Sequence, residues 1–165
     1  MDKTCCFTGH RPAKLPWGSD ESDERCKALK LEISARVEGI VLAGYRNFIC
    51  GMAEGCDMYF AEAVLEMRSR FPDVTLEAAI PCDRQADKWS TAQQRRYEHI
   101  MAESDTVTFV QHQYSPGCMM RRNRYMVDNA AVLIAVYNGS PGGTRNTMLY
   151  AMRQGLEIIE IEAEF

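Results

Sequence analysis

The run Ala131-Val132-Leu133-Ile134-Ala135-Val136-Tyr137 is the most apolar in the chain, and it belongs to a series. Shorter runs at Thr4–Thr8, Asn47–Cys50, Thr75–Ile80, Thr106–Val110 and Glu157–Ile161 alternate with stretches of helix length. Strand-length runs separated by amphipathic helices are the pattern of an α/β fold, a mainly parallel sheet with crossover helices on both faces. A run apolar on every residue suits a strand covered on both faces, near the middle of such a sheet. The expectation is therefore a Rossmann-like three-layer sandwich of five or more strands.

The helical stretches carry their own signatures. Cys26, Leu29, Ile33, Val37, Ile40 and Val41 recur at spacings of three and four and make one apolar stripe. Asp57 is expected to open a second helix, with Met58, Ala61, Val64 and Leu65 on one face, and Pro72 to stop it. Trp89, Tyr97, Ile100 and Met101 line a third, Met119 to Asn129 form a fourth, and Thr144 to Gln154 a fifth with Gly155 at its C-terminal cap.

At 165 residues and 46% apolar side chains, the chain suits one domain spanning 1–165. Lysine and arginine number 19 against 23 acidic residues, so the net charge of −4 argues against nucleic acid as a partner. No apolar run approaches the roughly 18–20 residues needed to cross a bilayer, and Met1-Asp2-Lys3-Thr4 does not read as a signal peptide. No membrane and a cytoplasmic setting are expected, and a homo-oligomer is compatible with the composition. The seven cysteines lack CxxC spacing or a histidine ladder, which supports neither zinc nor a disulfide framework. They read as reduced, packed thiols, with Cys56 and Cys82 set apart by their place in loops. No metal or cofactor is expected.

Chemistry collects in the segments that directly follow strands: Gly9 to Pro12, Gly51 to Asp57, Pro81 to Asp83, Gln111 to Gly117 and Asn138 to Thr144. In a parallel sheet these loops share one edge, and ligands bind there where the strand order reverses. Gly142, Gly143 and Thr144 join the most apolar strand to a helix, so their amides can form an anion-binding nest at a helix start. Gly51, Ala53, Gly55 and Asp57 repeat the strand–glycine–helix arrangement without being GxGxxG. Arg11 and one or two of Arg121, Arg122 and Arg124 are available for charge-assisted phosphate contacts. His10 reads as a hydrogen-bonding strut in preference to an acid or base. Asp57 and Asp128 could hold ribose hydroxyls, and His112 and Tyr114 a base. Trp17 and Trp89 read as packing.

Cys6-Phe7-Thr8-Gly9-His10-Arg11-Pro12, Gly51-x-Ala53-x-Gly55-x-Asp57, and Arg122-Asn123-x-x-Met126-Val127-Asp128 leading to Leu133–Tyr137 and Gly142-Gly143-Thr144 together resemble the YpsA/YoqJ-like group of the SLOG superfamily. The resemblance covers nearly the whole chain. It implies a Rossmann-like fold shared with the LOG phosphoribohydrolases, also called lysine-decarboxylase-like, and with the DNA-processing protein DprA. It further implies a nucleotide-type small-molecule ligand, with ADP-ribose or another NAD-derived nucleotide among the candidates. The pattern departs from the hydrolases in two places. Asn123 stands where they carry lysine, and Met148 where their catalytic glutamate would sit. Cleaving an N-glycosidic bond needs a placed carboxylate, for which Glu54 and Asp57 are the candidates. Three readings remain: a nucleotide-binding or sensing module, which the missing glutamate favours, a nucleoside-monophosphate phosphoribohydrolase, and a single-strand binder like DprA.

Overall fold

The computed structural model describes residues 3–163, and the expected span of 1–165 extends beyond them at both ends. One sheet holds six strands: β1 (Thr4–Thr8), β2 (Asn47–Cys50), β3 (Thr75–Ile80), β4 (Thr106–Phe109), β5 (Val132–Tyr137) and β6 (Glu157–Glu162). Their spatial order is β4-β3-β2-β1-β5-β6, and every neighbouring pair is parallel. The α/β expectation holds. The apolar run that becomes β5 pairs with β1 on one side, Cys6 opposite Leu133, and with β6 on the other.

Five helices cover the sheet: α1 (Glu24–Leu42), α2 (Cys56–Met67), α3 (Thr91–Glu103), α4 (Cys118–Asp128) and α5 (Gly143–Arg153). Strand alternation sorts their partners, since successive side chains point to opposite faces. Cys5, Phe7, Phe48, Leu76, Ile134 and Val136 pack with α1, α2 and α3, where Phe7 stacks on Phe60 at 4.6 Å between ring centroids. Cys6, Ile49, Ala79, Leu133 and Ala135 face α4 and α5 through Met126, Val127 and Ala151. The six stripe residues of α1 are its buried residues. Asp23 caps that helix, accepting from the Arg25 amide at 2.8 Å.

Several boundaries shift by one residue, and two differ from the sequence reading by more. Helix α2 ends at Met67, ahead of Pro72. The Arg68 amide turns back to the Leu65 carbonyl, and its guanidinium reaches the Glu103 carbonyl (2.7 Å) and Asp105. Past Met67 the ladder tightens to three-residue turns, Ser69 donating to Glu66 and Arg70 to Met67, so the regular helix ends before Pro72, which restrains Phe71. Trp89 lies before the Ser90 cap of α3, outside the helix it was expected to line. Helix α5 closes as expected around Gly155, at φ +80°: the Gly155 amide donates to Met152 and the Leu156 amide to Ala151. No helix among the described residues is long and apolar enough to cross a membrane.

Candidate functional site

Because all strand pairs are parallel, the five post-strand loops share one edge, and the strand order reverses between β1 and β5. The loop after β1 is the hub of that reversal. Gly9 lets the chain pass the start of α2, since a Cβ there would lie 2.6 Å from the Cys56 Cβ. The next carbonyl, of His10, accepts from the Cys56 amide at 3.1 Å. The buried His10 ring turns the other way, its Nε2 accepting from the Asn138 amide at 3.1 Å. An accepting Nε2 requires the neutral ring, and burial together with Lys14 holds its pKa below the ordinary histidine value. Lys14 ends a single 3-10 turn, Pro12–Lys14, and donates to the Pro141 carbonyl at 2.7 Å and Ser140 Oγ at 3.4 Å. Residues 9–14 thus tie the β2 and β5 loops together.

The loop after β2 folds on itself. Asp57 accepts from the Ala53 amide at 3.0 Å, and buried Met52 takes a positive φ of 61°. Arg122 comes in from α4, only 3% exposed, and donates to the carbonyls of Gly51 and Ala79, to Gln85, and through Nε to Asn123 Oδ1 at 2.8 Å. A Cβ at Gly51 would sit 2.8 Å from this guanidinium. Gly55, at φ +88°, leaves no room either, since a Cβ there would stand 2.8 Å from the His10 carbonyl oxygen. Burial pushes the Asp57 carboxyl up in pKa, against the opposing pull of Arg122 and the Ala53 amide. Burial likewise lowers Arg122, against the pull of Asp57.

A cleft of about 460 Å³ opens over this edge. The β1 loop lines it with Gly9, His10 and Arg11, the β2 loop with Ala53 and Asp57, α4 with Arg122 and Asn123, and α5 with Gly143 and Thr144. Gly51, Gly55 and Gly142 do not line it. Gly142, at φ +143°, caps α5 with no side-chain help, so Thr144 is a residue of the first turn and not the cap. Glu54 faces an adjoining hollow of about 370 Å³. Asp128 ends α4 at the opposite edge of the sheet and accepts from the Tyr150 hydroxyl at 2.6 Å, so the helix length separates it from the cleft. Arg121 bonds Gln111 and Arg124 lies over the Tyr150 ring, which leaves Arg122 as the member of that trio in the cleft. His112 pairs with Asp83 at 2.8 Å, and Tyr114 is 70% exposed; neither lines the cleft.

Sequence reasoning missed Lys14, Met119 and Asn146, all part of the lining. A lysine two residues past the FTGHRP run was the signal for the first. The Arg11 guanidinium makes no hydrogen bond or ion pair among the described residues, and its charge adds to that of Arg122 in opposing the upward shift of Asp57. Asp57 is the carboxylate in the lining, already committed to Ala53. Met148 packs against the core beneath α4 and α5, away from the cleft. The seven cysteines are free and buried; burial raises the thiols of both Cys56 and Cys82, as it does Cys6, pushed up to about 12. No group of three or more potential metal ligands occurs among the described residues.

The family model for YpsA, described as the YspA SLOG family, matches residues 5–162. The SPbeta prophage-derived protein YoqJ of Bacillus subtilis is 29% identical over 138 residues, covering 76% of this chain and 81% of its own. A UPF0398 protein of Bacillus pumilus is 26% identical over 150 residues, 89% of this chain and 80% of its own. Among solved structures, DprA of Streptococcus pneumoniae superposes with a TM-score of 0.66 at 18% identity, over 98% of this chain and 51% of that one. DprA of Helicobacter pylori, described with a single-stranded DNA binding mode, gives 0.64 at 14%, over 98% and 66%. These two likenesses establish the fold, and this chain spans half and about two thirds of the two proteins.

Proposed function

We propose, for a chain that belongs to the YspA SLOG family, that the cleft binds a phosphate-bearing nucleotide without turning it over. The observation that carries this reading is the start of α5. No side chain caps it, Gly143 and Thr144 open its first turn to the cleft, and Lys14 and the unpaired Arg11 stand beside it. Unpaired amides, a helix dipole and guanidinium charge in one place suit phosphate. ADP-ribose and other NAD-derived nucleotides fall within this class. The absence of turnover follows from the carboxylates: Asp57 is held by the Ala53 amide and faces Arg122, and residue 148 lies outside the cleft. Binding needs only the donors, whereas bond cleavage also needs a placed acid or base.

Calorimetric titration with AMP, ADP and ADP-ribose tests the proposal. Arg11→Ala is expected to weaken binding about tenfold, the scale of one hydrogen bond to a charged group, with no base released on prolonged incubation. Unchanged affinity in the folded variant, or rapid base release lost in Asp57→Asn, overturns it. Net charge alone does not dispose of nucleic acid, because a protein of this fold is described as binding single-stranded DNA. Under this second reading a single-stranded oligonucleotide binds with steep salt dependence and competes with the nucleotide for Arg11.

A further inference from the structure

We infer that the cleft continues into a second subsite, which takes a planar, amine-bearing base joined through phosphate to the nucleotide in the first. The inference rests on the nucleotide reading of the first lobe. The two hollows are contiguous, sharing Arg11, Ala13, Ala53 and Met119 as common walls. Their chemistry is opposite. The first has the α5 start, Lys14 and an Asp57 carboxylate already held by the Ala53 amide; the second has Glu54, Trp89 and the Gln85 amide, with the shared Arg11 as its cation.

Trp89 is half-buried, and Tyr97 packs edge-on against it at 5.3 Å and 81°, which fixes the indole plane. Its ring N–H meets no acceptor among the described residues and is not cut off from solvent. Glu54 likewise pairs with no cation or donor among them. Gln85 is held in place, donating to the Gly51 carbonyl at 3.4 Å and accepting from Arg122 at 3.4 Å. A phosphate in this lobe would face the Glu54 carboxylate at a cost, so phosphate belongs on the first side and at Arg11. A heteroaromatic base stacks on an indole, and its exocyclic amine supplies the donor that Glu54 lacks. Arg11 at the boundary then meets the phosphate linking the two halves. The recognised chemistry is two bases bridged by phosphate, which a free dinucleotide and two successive nucleotides of a strand both present.

The test titrates the full chain with AMP, with diadenosine diphosphate (5′–5′ linked) and with a 3′–5′-linked adenylate dinucleotide. One two-headed probe is expected to bind about tenfold more tightly than AMP, the scale of one stacked base. Trp89→Ala and Glu54→Gln should each erode that advantage and leave AMP affinity unchanged, while Trp89→Tyr restores most of it. Thermal melts confirm that the variants fold. The probe that shows the Trp89-dependent gain identifies the source, free dinucleotide or strand. If AMP binds and neither two-headed probe exceeds it, or the gain survives both substitutions, the second subsite is overturned and the nucleotide reading stands. If a two-headed probe binds in a Trp89-dependent way and AMP does not bind at all, the mononucleotide reading falls and the second subsite stands. If nothing binds, both fall.

Discussion

The loops after β2 and β5 look alike as sequence, each a strand, a glycine-rich turn and a helix, yet they are put to opposite uses. Around residues 51–57 the space beside the glycines is already occupied: Arg122 fills the side of Gly51, and the His10 carbonyl that of Gly55. Around residues 138–144 it is largely empty, and a Cβ at Gly143 would meet nothing within 4 Å. Gly142 is the exception, where Lys14 Nζ would come within 2.6 Å. One loop is a packing joint and the other an open mouth. Glycine spacing alone therefore does not distinguish a ligand cradle from a close contact between chain segments.

The largest effect is expected where the joint holds a buried charge. Arg122→Met should cost about 3–5 kcal/mol in urea denaturation, because it leaves the buried Gly51 and Ala79 carbonyls without their donor and the buried Asp57 carboxylate without the charge that favours it. Adding Asp57→Asn should recover part of that loss; a purely additive cycle would show that the two charges do not depend on each other. Next comes the glycine pair. Gly55→Ala should lose about 3 kcal/mol through its positive φ and the clash with His10, whereas Gly143→Ala should stay within about 0.5 kcal/mol. Gly143→Val should keep stability but weaken nucleotide binding. Equal stability losses at positions 55 and 143 would erase the contrast between the loops.

The smallest effect concerns the strut that joins them. His10 titrates below its unfolded value, so the unfolded chain takes up its proton first as pH falls. The contribution is complete above about pH 6.5 and is lost on acidification through the lowered folded value. Compared with His10→Gln, the wild type should lose roughly one hydrogen bond, about 1 kcal/mol, more between pH 7.5 and 5. Parallel stability curves for the two proteins would remove His10 from the account.

The alternation of runs and stripes made the architecture legible, because burial on a sheet face or helix stripe leaves a periodicity in the chain: the α1 stripe matches its buried face residue for residue. The shared loop edge was legible too, as a consequence of parallel pairing. Side-chain commitments were not. Arg122 reads as a phosphate ligand until its guanidinium is found on the Gly51 and Ala79 carbonyls. Nor does Gly142-Gly143 tell which of the two takes the positive φ: it is Gly142, while Gly143 is helical. Asp128 shares a motif with Arg122, but the length of α4 sets the two at opposite edges. Trp89, read as packing, has a face on a hollow that forms only when the β1 loop and the segment before α3 meet.

The double attachment of His10 has a mechanical consequence. Its carbonyl grips the α2 start and its ring grips the β5 loop, so neither wall can drift outward without breaking a bond to the same residue. The aperture is consequently set before a guest arrives, and little ordering of the walls remains to be done on association. Amide exchange at Asn138 and Cys56 should then slow and quicken together, as two readings of a single hinge pin.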